Sequence, residues 1–255
     1  MSHLRAVVRL LGMTGLTGAC FFAWALTRLL NLFSPGAGRW TQERITVAWA
    51  SSMLHHMGGR IQVHGEPARI PHMLVSNHLS YVDILVLLSQ GCWTIVAKAE
   101  IARWPLMGAI ARSVGTVFID RSKRSNLARV NREIAGILGS GRSILVFPEG
   151  TSSGGAAVLP FKPALFEVAV DTACPVNIAV LGYRTGPGLP PAQEVVCWWR
   201  DMTFPDHLYR LLRLPGFQAT VSFGASSISE PDRKSYARRA HAAVSELFVP
   251  VFPQG

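Results

Sequence analysis

Two apolar runs, residues 73–75 and 84–88, flank Ser76, Asn77, His78, Leu79, Ser80, Tyr81, Val82 and Asp83. Both runs must be buried, so a histidine and a carboxylate are held at the junction of two core elements. Residues five apart on one helix point about 140° away from each other. His78 and Asp83 therefore meet only if His78 precedes a helix and Asp83 lies in its first turn. In this reading Val75 ends a strand, and Ser80-x-x-Asp83 fits a capping box ahead of the apolar run. An aspartate bonded to one imidazole nitrogen leaves the other as a proton acceptor, a base able to activate a hydroxyl. The plainer alternative is that Asp83 only completes a capping box and His78 is an ordinary turn residue.

Other chemistry-bearing residues also follow apolar runs. Arg121 comes just after residues 116–119 and offers a fork suited to a phosphate. Lys98, after residues 93–97, adds a point charge. Glu149, Gly150 and Thr151 follow residues 144–147. The alternatives are a salt bridge from Arg121 to Asp120 or Glu149, and an exposed turn for Lys98. A rival chemistry lies in Gly150-Thr151-Ser152-Ser153-Gly154, which matches the G-x-S-x-G nucleophile elbow. Ser152 would then be the nucleophile of a serine hydrolase, with a later histidine such as His207 or His241 as its base. The elbow needs a helix directly after the serine, and Gly154, Gly155 and Pro160 oppose one.

The elements that position these groups read as short apolar runs alternating with helices. Strands are expected at 61–63, 73–75, 93–97, 116–119, 144–147, 176–181, 195–198 and 219–223, and helices at 125–138 and 232–248. Such alternation predicts an α/β fold, a largely parallel sheet flanked by helices. The carboxyl ends of parallel strands form the ligand crevice of open α/β sheets, and His78, Arg121 and Glu149 each follow a strand.

The first 58 residues differ in character. Residues 10–27 are uncharged between Arg9 and Arg28, and as a helix they are about 27 Å long, close to the roughly 30 Å hydrocarbon core. After Pro35-Gly36-Ala37-Gly38 a second helix spans 42–57. We read an N-terminal membrane-associated helical pair (1–58) before a catalytic domain (59–255), the alternative being an ordinary helix hairpin. Apolar content of 49% with 16% charged residues is far from the roughly 25% charged of soluble domains. A net charge of +10 favours an anionic membrane surface or phosphate-bearing substrates. Nucleic acid is not expected, because the cations are scattered and lack stacking aromatics among them. Cys20, Cys92, Cys174 and Cys197 are far apart, so neither a disulfide framework nor a metal site is expected. His55 and His56, adjacent on a helix, diverge.

Asn77-His78-Leu79-Ser80-Tyr81-Val82-Asp83 resembles the N-H-x-S-x-x-D block of the glycerolipid (lysophospholipid) acyltransferase family. Residues 115–121 (G-T-V-F-I-D-R) resemble its second block and 147–151 (F-P-E-G-T) its third. The resemblance covers residues 60–185. It implies an O-acyltransferase in which His78 and Asp83 are the catalytic pair, and Arg121 with Glu149, Gly150 and Thr151 holds the acyl acceptor. The expected acceptor is a lysophospholipid of the 1-acylglycerol-3-phosphate type and the donor is acyl-CoA or acyl-carrier protein, with no further cofactor. The active site is expected on the cytoplasmic face of the membrane. Two departures affect the acceptor: Ser152 stands where the family commonly has Arg, and Ala164 where Gly is common. The string 147–155, with L-P-F-K and the later C-W-W-R-D-M, looks more like the lyso-ornithine lipid acyltransferase branch. A non-enzymatic, basic lipid-surface tether explains the charge but not a His/Asp pair at a buried junction.

Overall fold

The computed structural model describes residues 2–119 and 124–251. Two long helices open the chain, α1 (Ser2–Phe33) and α2 (Pro35–Met57). There follow β1 (Gly59–His64), β2 (Met73–Ser76), α3 (Val82–Leu88), β3 (Thr94–Lys98), α4 (Pro105–Ser113), β4 (Val117–Ile119), α5 (Arg124–Gly139) and β5 (Ile144–Val146). The last part carries α6 (Glu167–Asp171), β6 (Val176–Thr185), α7 (Ala192–Val195), α8 (Phe204–Arg213), β7 (Phe217–Phe223) and α9 (Arg233–Leu247). The sheet order is β1-β7-β6-β2-β5-β3-β4.

Five strands, β6, β2, β5, β3 and β4, run parallel, while β7 is antiparallel to β6 and β1 is parallel to β7. The largely parallel expectation holds, with a reversed edge pair. Side chains alternate between faces along each strand. Leu74, Leu145, Leu181 and Val221 point into one core beneath α1, α2, α3 and α8. Met73, Val75, Val146, Ile178 and Val180 point into a second, beneath α5 and α9. Burial on both faces is why β2, β5 and most of β6 are continuous apolar runs.

The expected strand at 195–198 is not there. Val195 ends α7, and the Cys197 N–H bonds back to the Ala192 carbonyl. Val195, Val196 and Trp198 read as strand because they are β-branched or aromatic. Instead the chain turns back on α7 and is tied to the loop after β2 through the Trp198 N–H and the Leu79 carbonyl.

Ala6, Met13 and Trp24 of α1, with Trp49, Ala50 and Leu54 of α2, belong to the same core as Leu181 and Phe217. The N-terminal pair and the sheet therefore share one hydrophobic core. Arg9 fixes the arrangement by donating to the carbonyls of Met57 (3.2 Å), Leu212 (3.2 Å), Leu214 (2.7 Å) and Pro215 (3.1 Å). These carbonyls close α2 and α8, where a cation also meets the negative ends of the helix dipoles. The outward side of α1 is apolar: Leu4, Val8, Leu11 and Phe22 are 60–70% exposed and recur at helical spacing.

Candidate active site

His78 lies in the turn after β2 and Asp83 in the first turn of α3, as the spacing requires. The Asp83 carboxylate is fully buried and accepts four hydrogen bonds. Oδ2 receives His78 Nδ1 at 2.7 Å and the backbone N–H groups of Leu79 (2.6 Å) and Ser80 (2.9 Å). Oδ1 receives the Tyr183 hydroxyl at 2.6 Å. Because Asp83 can only accept, Nδ1 of His78 carries the hydrogen and Nε2 keeps its lone pair. Nε2 has no hydrogen-bond partner among the described residues, and the His78 side chain is 21% exposed. The imidazole is thus anchored on one side and open on the other.

Half of the predicted capping box forms. Asp83 reaches back to the Ser80 N–H, but the Ser80 hydroxyl is buried with no partner, and α3 begins at Val82. The aspartate serves helix start and imidazole at once, so the two readings of Asp83 are not exclusive.

The third block packs against the first. The His78 ring stacks on Phe147 with centroids 4.2 Å apart at 21°. Glu149 is buried, and its Oε1 accepts the His78 backbone N–H at 2.9 Å, while the Ser153 N–H donates to the His78 carbonyl at 2.9 Å. Gly150 turns the chain there at φ +72°, a conformation that side chains resist. Burial pushes the Glu149 carboxyl up to about 8, against the lowering effect of the His78 and Leu159 N–H groups, and the Asp83 charge adds to the rise. Oε1 so placed holds the His78 backbone, while Oε2 is buried with no hydrogen-bond partner among the described residues. Thr151 is exposed at the rim. Lys98 is exposed at the end of β3, paired in register with Ile119, so it lies at the same end of the sheet two strands from β2. Arg121 lies outside the described residues.

A strap after α7 is tied to the loops of the first and third blocks. The Trp198 N–H donates to the Leu79 carbonyl at 2.8 Å, and the Ser152 hydroxyl donates to the Trp198 carbonyl. The Ser152 oxygen therefore ties two loops together. No helix follows it up to Lys162, so the nucleophile-elbow requirement is unmet. His207 pairs instead with the Tyr81 hydroxyl (3.0 Å), and His241 Nε2 lies 3.3 Å from the Val158 carbonyl.

Three participants escape a reading of spacing. Tyr183 is 100 residues from Asp83 and looks like one more core residue of β6. Phe147 sits in the third block but shows no sign of being the platform for His78. Asn77 locks the turn by exchanging two hydrogen bonds with the Leu181 backbone, at 3.0 and 2.8 Å. A hydroxyl in the mainly apolar, buried stretch of β6 is the local hint of Tyr183.

The His78–Asp83 pair thus leaves one imidazole nitrogen open as a proton acceptor. The chain belongs to the acyltransferase family, whose match covers residues 60–180. It is 33% identical over 254 residues to the lyso-ornithine lipid O-acyltransferase of Pseudomonas aeruginosa, spanning 96% of this chain and 93% of that protein. It is 30% identical over 165 residues to the 1-acyl-sn-glycerol-3-phosphate acyltransferase of Neisseria gonorrhoeae, spanning 65% of this chain and 64% of that one. The crystal structure of the 1-acyl-sn-glycerophosphate acyltransferase from Thermotoga maritima has the same fold. The TM-score is 0.69 at 21% identity, over 97% of this chain and 98% of that one.

Proposed function

We propose that this acyltransferase moves a fatty acyl group from a thioester, acyl-CoA or acyl-carrier protein, to the free hydroxyl of a membrane lysolipid, with lyso-ornithine lipid as the preferred acceptor. The observation that carries the chemistry is the His78–Asp83 pair with Nε2 unpartnered. Nε2 takes the acceptor hydroxyl proton as the oxygen attacks the thioester carbon. The tetrahedral adduct then collapses, the C–S bond breaks, and the imidazolium returns its proton to the departing thiolate. Asp83 holds the tautomer and offsets the imidazolium charge, and Tyr183 and Glu149 hold Asp83 and the His78 backbone in place. No acyl-enzyme forms.

A cavity of about 390 Å³ supports a long acyl chain. It runs from Tyr81, Ile84 and Leu85, beside the dyad, between Met13 and Phe21 of α1 and Trp49 and Met53 of α2. Its lining is almost wholly apolar. The enzyme associates with the membrane through α1, whose 32 residues would extend about 48 Å, more than a bilayer core needs. One side of α1 is committed to the protein core and the other is an apolar stripe, so the helix lies in one leaflet rather than crossing it. Use of a thioester donor supports an active site on the cytoplasmic side.

Likeness over nearly the whole chain to a lyso-ornithine lipid enzyme, and Ser152 used as a loop tie where Arg is common, support the acceptor. Arg121 and Lys98 then serve the acceptor headgroup, since a guanidinium fork suits the ornithine carboxylate as well as a phosphate. An acceptor panel of lyso-ornithine lipid, lysophosphatidate and lysophosphatidylcholine, run with both donors, tests this. The highest kcat/KM is expected for lyso-ornithine lipid. A preference for lysophosphatidate would replace the acceptor, and no acylation of any would end the proposal.

A further inference from the structure

The edge of the sheet away from the dyad carries a second feature that acyl transfer does not use. In register across three neighbouring strands stand Arg60 of β1, Gln218 of β7 and Arg184 of β6. Residues in one register row share a face, and adjacent strands are about 4.8 Å apart, so the two arginine stems rise about 10 Å from each other. The opposite face of these strands is buried under α1 and α2, through Phe217, Ala219 and Tyr183. On this face Arg60, Gln218 and Arg184 are all exposed. Gln218 is held by Gln62, to which it donates at 2.7 Å. Neither arginine has an ion pair or side-chain hydrogen bond among the described residues, whereas Arg129, Arg210 and Arg233 each have a carboxylate.

The row opens into a groove of about 1030 Å³ that also takes in Arg9, His55 and His56, and no carboxylate lines it. Close packing forms its floor: a Cβ on Gly58, at φ +82°, would fall 2.5 Å from Arg9 Nη2. Arg60 and Arg184, exposed and without a protein counter-charge among the described residues, keep their guanidinium forks available to an anion. The groove's α1 wall decides which anion. Arg9 is flanked on the same helix by Val8 and Leu10, 60% and 46% exposed, part of the apolar surface of α1. Cations at the rim of an apolar in-plane helix meet the phosphates of the lipids that surround it.

We propose that Arg60 and Arg184 form a binding groove for the phosphates of anionic membrane lipids, separate from the catalytic site. The groove gives the enzyme a preference for anionic membrane that α1 alone does not supply. Tyr183, which faces Asp83, and Arg184, which faces the groove, are neighbours on opposite faces of β6, so the two sites do not share side chains.

The test is vesicle binding by the full chain, comparing wild type with the double variant Arg60→Ala/Arg184→Ala. The vesicles are phosphatidylcholine alone or phosphatidylcholine with phosphatidylglycerol, at low and high salt. Circular dichroism confirms the fold of the variant, and Arg60→Lys/Arg184→Lys keeps the charge. Affinity for the anionic vesicles is expected to fall about 30-fold in the alanine variant, equivalent to about 2 kcal/mol. The loss should shrink at high salt, binding to phosphatidylcholine should be unchanged, and the lysine variant should retain most of the preference. Acyl transfer in neutral detergent micelles should stay at the wild-type rate, which separates this proposal from the catalytic one. Unchanged binding to anionic vesicles overturns it, as does an equal loss on both vesicle types. Unchanged vesicle binding with a raised KM for acyl-CoA or acyl-carrier protein also overturns it and reassigns the groove to the donor's acidic groups.

Discussion

Asp83→Asn separates the charge of the dyad from its geometry. Three donors, His78 Nδ1, Leu79 N and Ser80 N, converge on Oδ2, so an asparagine places its amide oxygen there. Its NH2 then faces the Tyr183 oxygen, which can accept. The His78 tautomer is therefore preserved in this variant, contrary to the common expectation for such a change, and only the negative charge is lost. With charge centres about 4 Å apart and an effective dielectric constant near 20, an adjacent carboxylate stabilises the imidazolium by about 4 kcal/mol. That corresponds to about 10³-fold in kcat. Stability should move little. Four hydrogen bonds each lose about 1 kcal/mol on becoming neutral, and the several kcal/mol of hydration given up by a buried charge are recovered. The assay is steady-state kinetics with a saturating thioester donor, alongside thermal unfolding. The expected result is a drop of about 10³ in kcat with KM within about twofold and a small shift in Tm. A loss below tenfold in a folded variant would refute the reasoning, because Asp83 would then be only a cap.

Tyr183→Phe should lower kcat about tenfold, since a hydrogen bond to a charged acceptor contributes about 1.5–3 kcal/mol shared between folding and catalysis. In the Asp83→Asn background the same change should have little further effect, and additive losses in that double-mutant cycle would detach Tyr183 from the dyad. Glu149 predicts a pH dependence of stability. Its carboxyl is raised from 4.5 to about 8, so between those values the native state holds a proton that the unfolded state has lost, and stability falls as pH rises. Glu149→Gln keeps an oxygen for the His78 N–H and should flatten this slope in urea midpoints measured at pH 5 and pH 8.5. An unchanged slope assigns it to other groups. Glutamates at Val8, Leu11 and Phe22, on the outward stripe of α1, should release the protein from membranes in fractionation while it stays folded. Retention would show that the stripe is not the anchor.

The dyad was legible because its spacing permits only one local structure, a strand, a turn carrying His78, and a helix whose first turn carries Asp83. Period and composition likewise show through in α5, α9 and most strands. What spacing cannot convey is contact between distant segments. Tyr183 reaches Asp83 only because β6 lies beside β2 in the sheet order. Glu149 suggested a ligand contact by residue type, but its Oε1 bond to the His78 backbone N–H joins segments 71 residues apart, which spacing does not convey. The residues 195–198 failed as a strand because local propensity was outweighed by hydrogen bonds to Leu79 and Ser152. The N-terminal pair was visible as apolar helix, but its fusion to the sheet core depends on Arg9 gathering the ends of α2 and α8, which no periodicity records. For the same reason a chain cut at Arg60 would uncover Leu181 and Phe217, so membrane binding is better tested by surface substitution.

The central claim is that the indispensable atom is Nε2 of His78 and not the Ser152 hydroxyl. The most direct measurement is the single-turnover acyl-transfer rate of His78→Ala beside Ser152→Ala, each checked for fold, with rapid quench to trap any acyl-enzyme. His78→Ala should lose at least about 10³-fold, Ser152→Ala should lose only the few-fold expected of a loosened Trp198 strap, and no acyl-enzyme should form. A His78→Ala enzyme of full rate, or a burst of acyl-enzyme that vanishes with Ser152→Ala, would contradict the account.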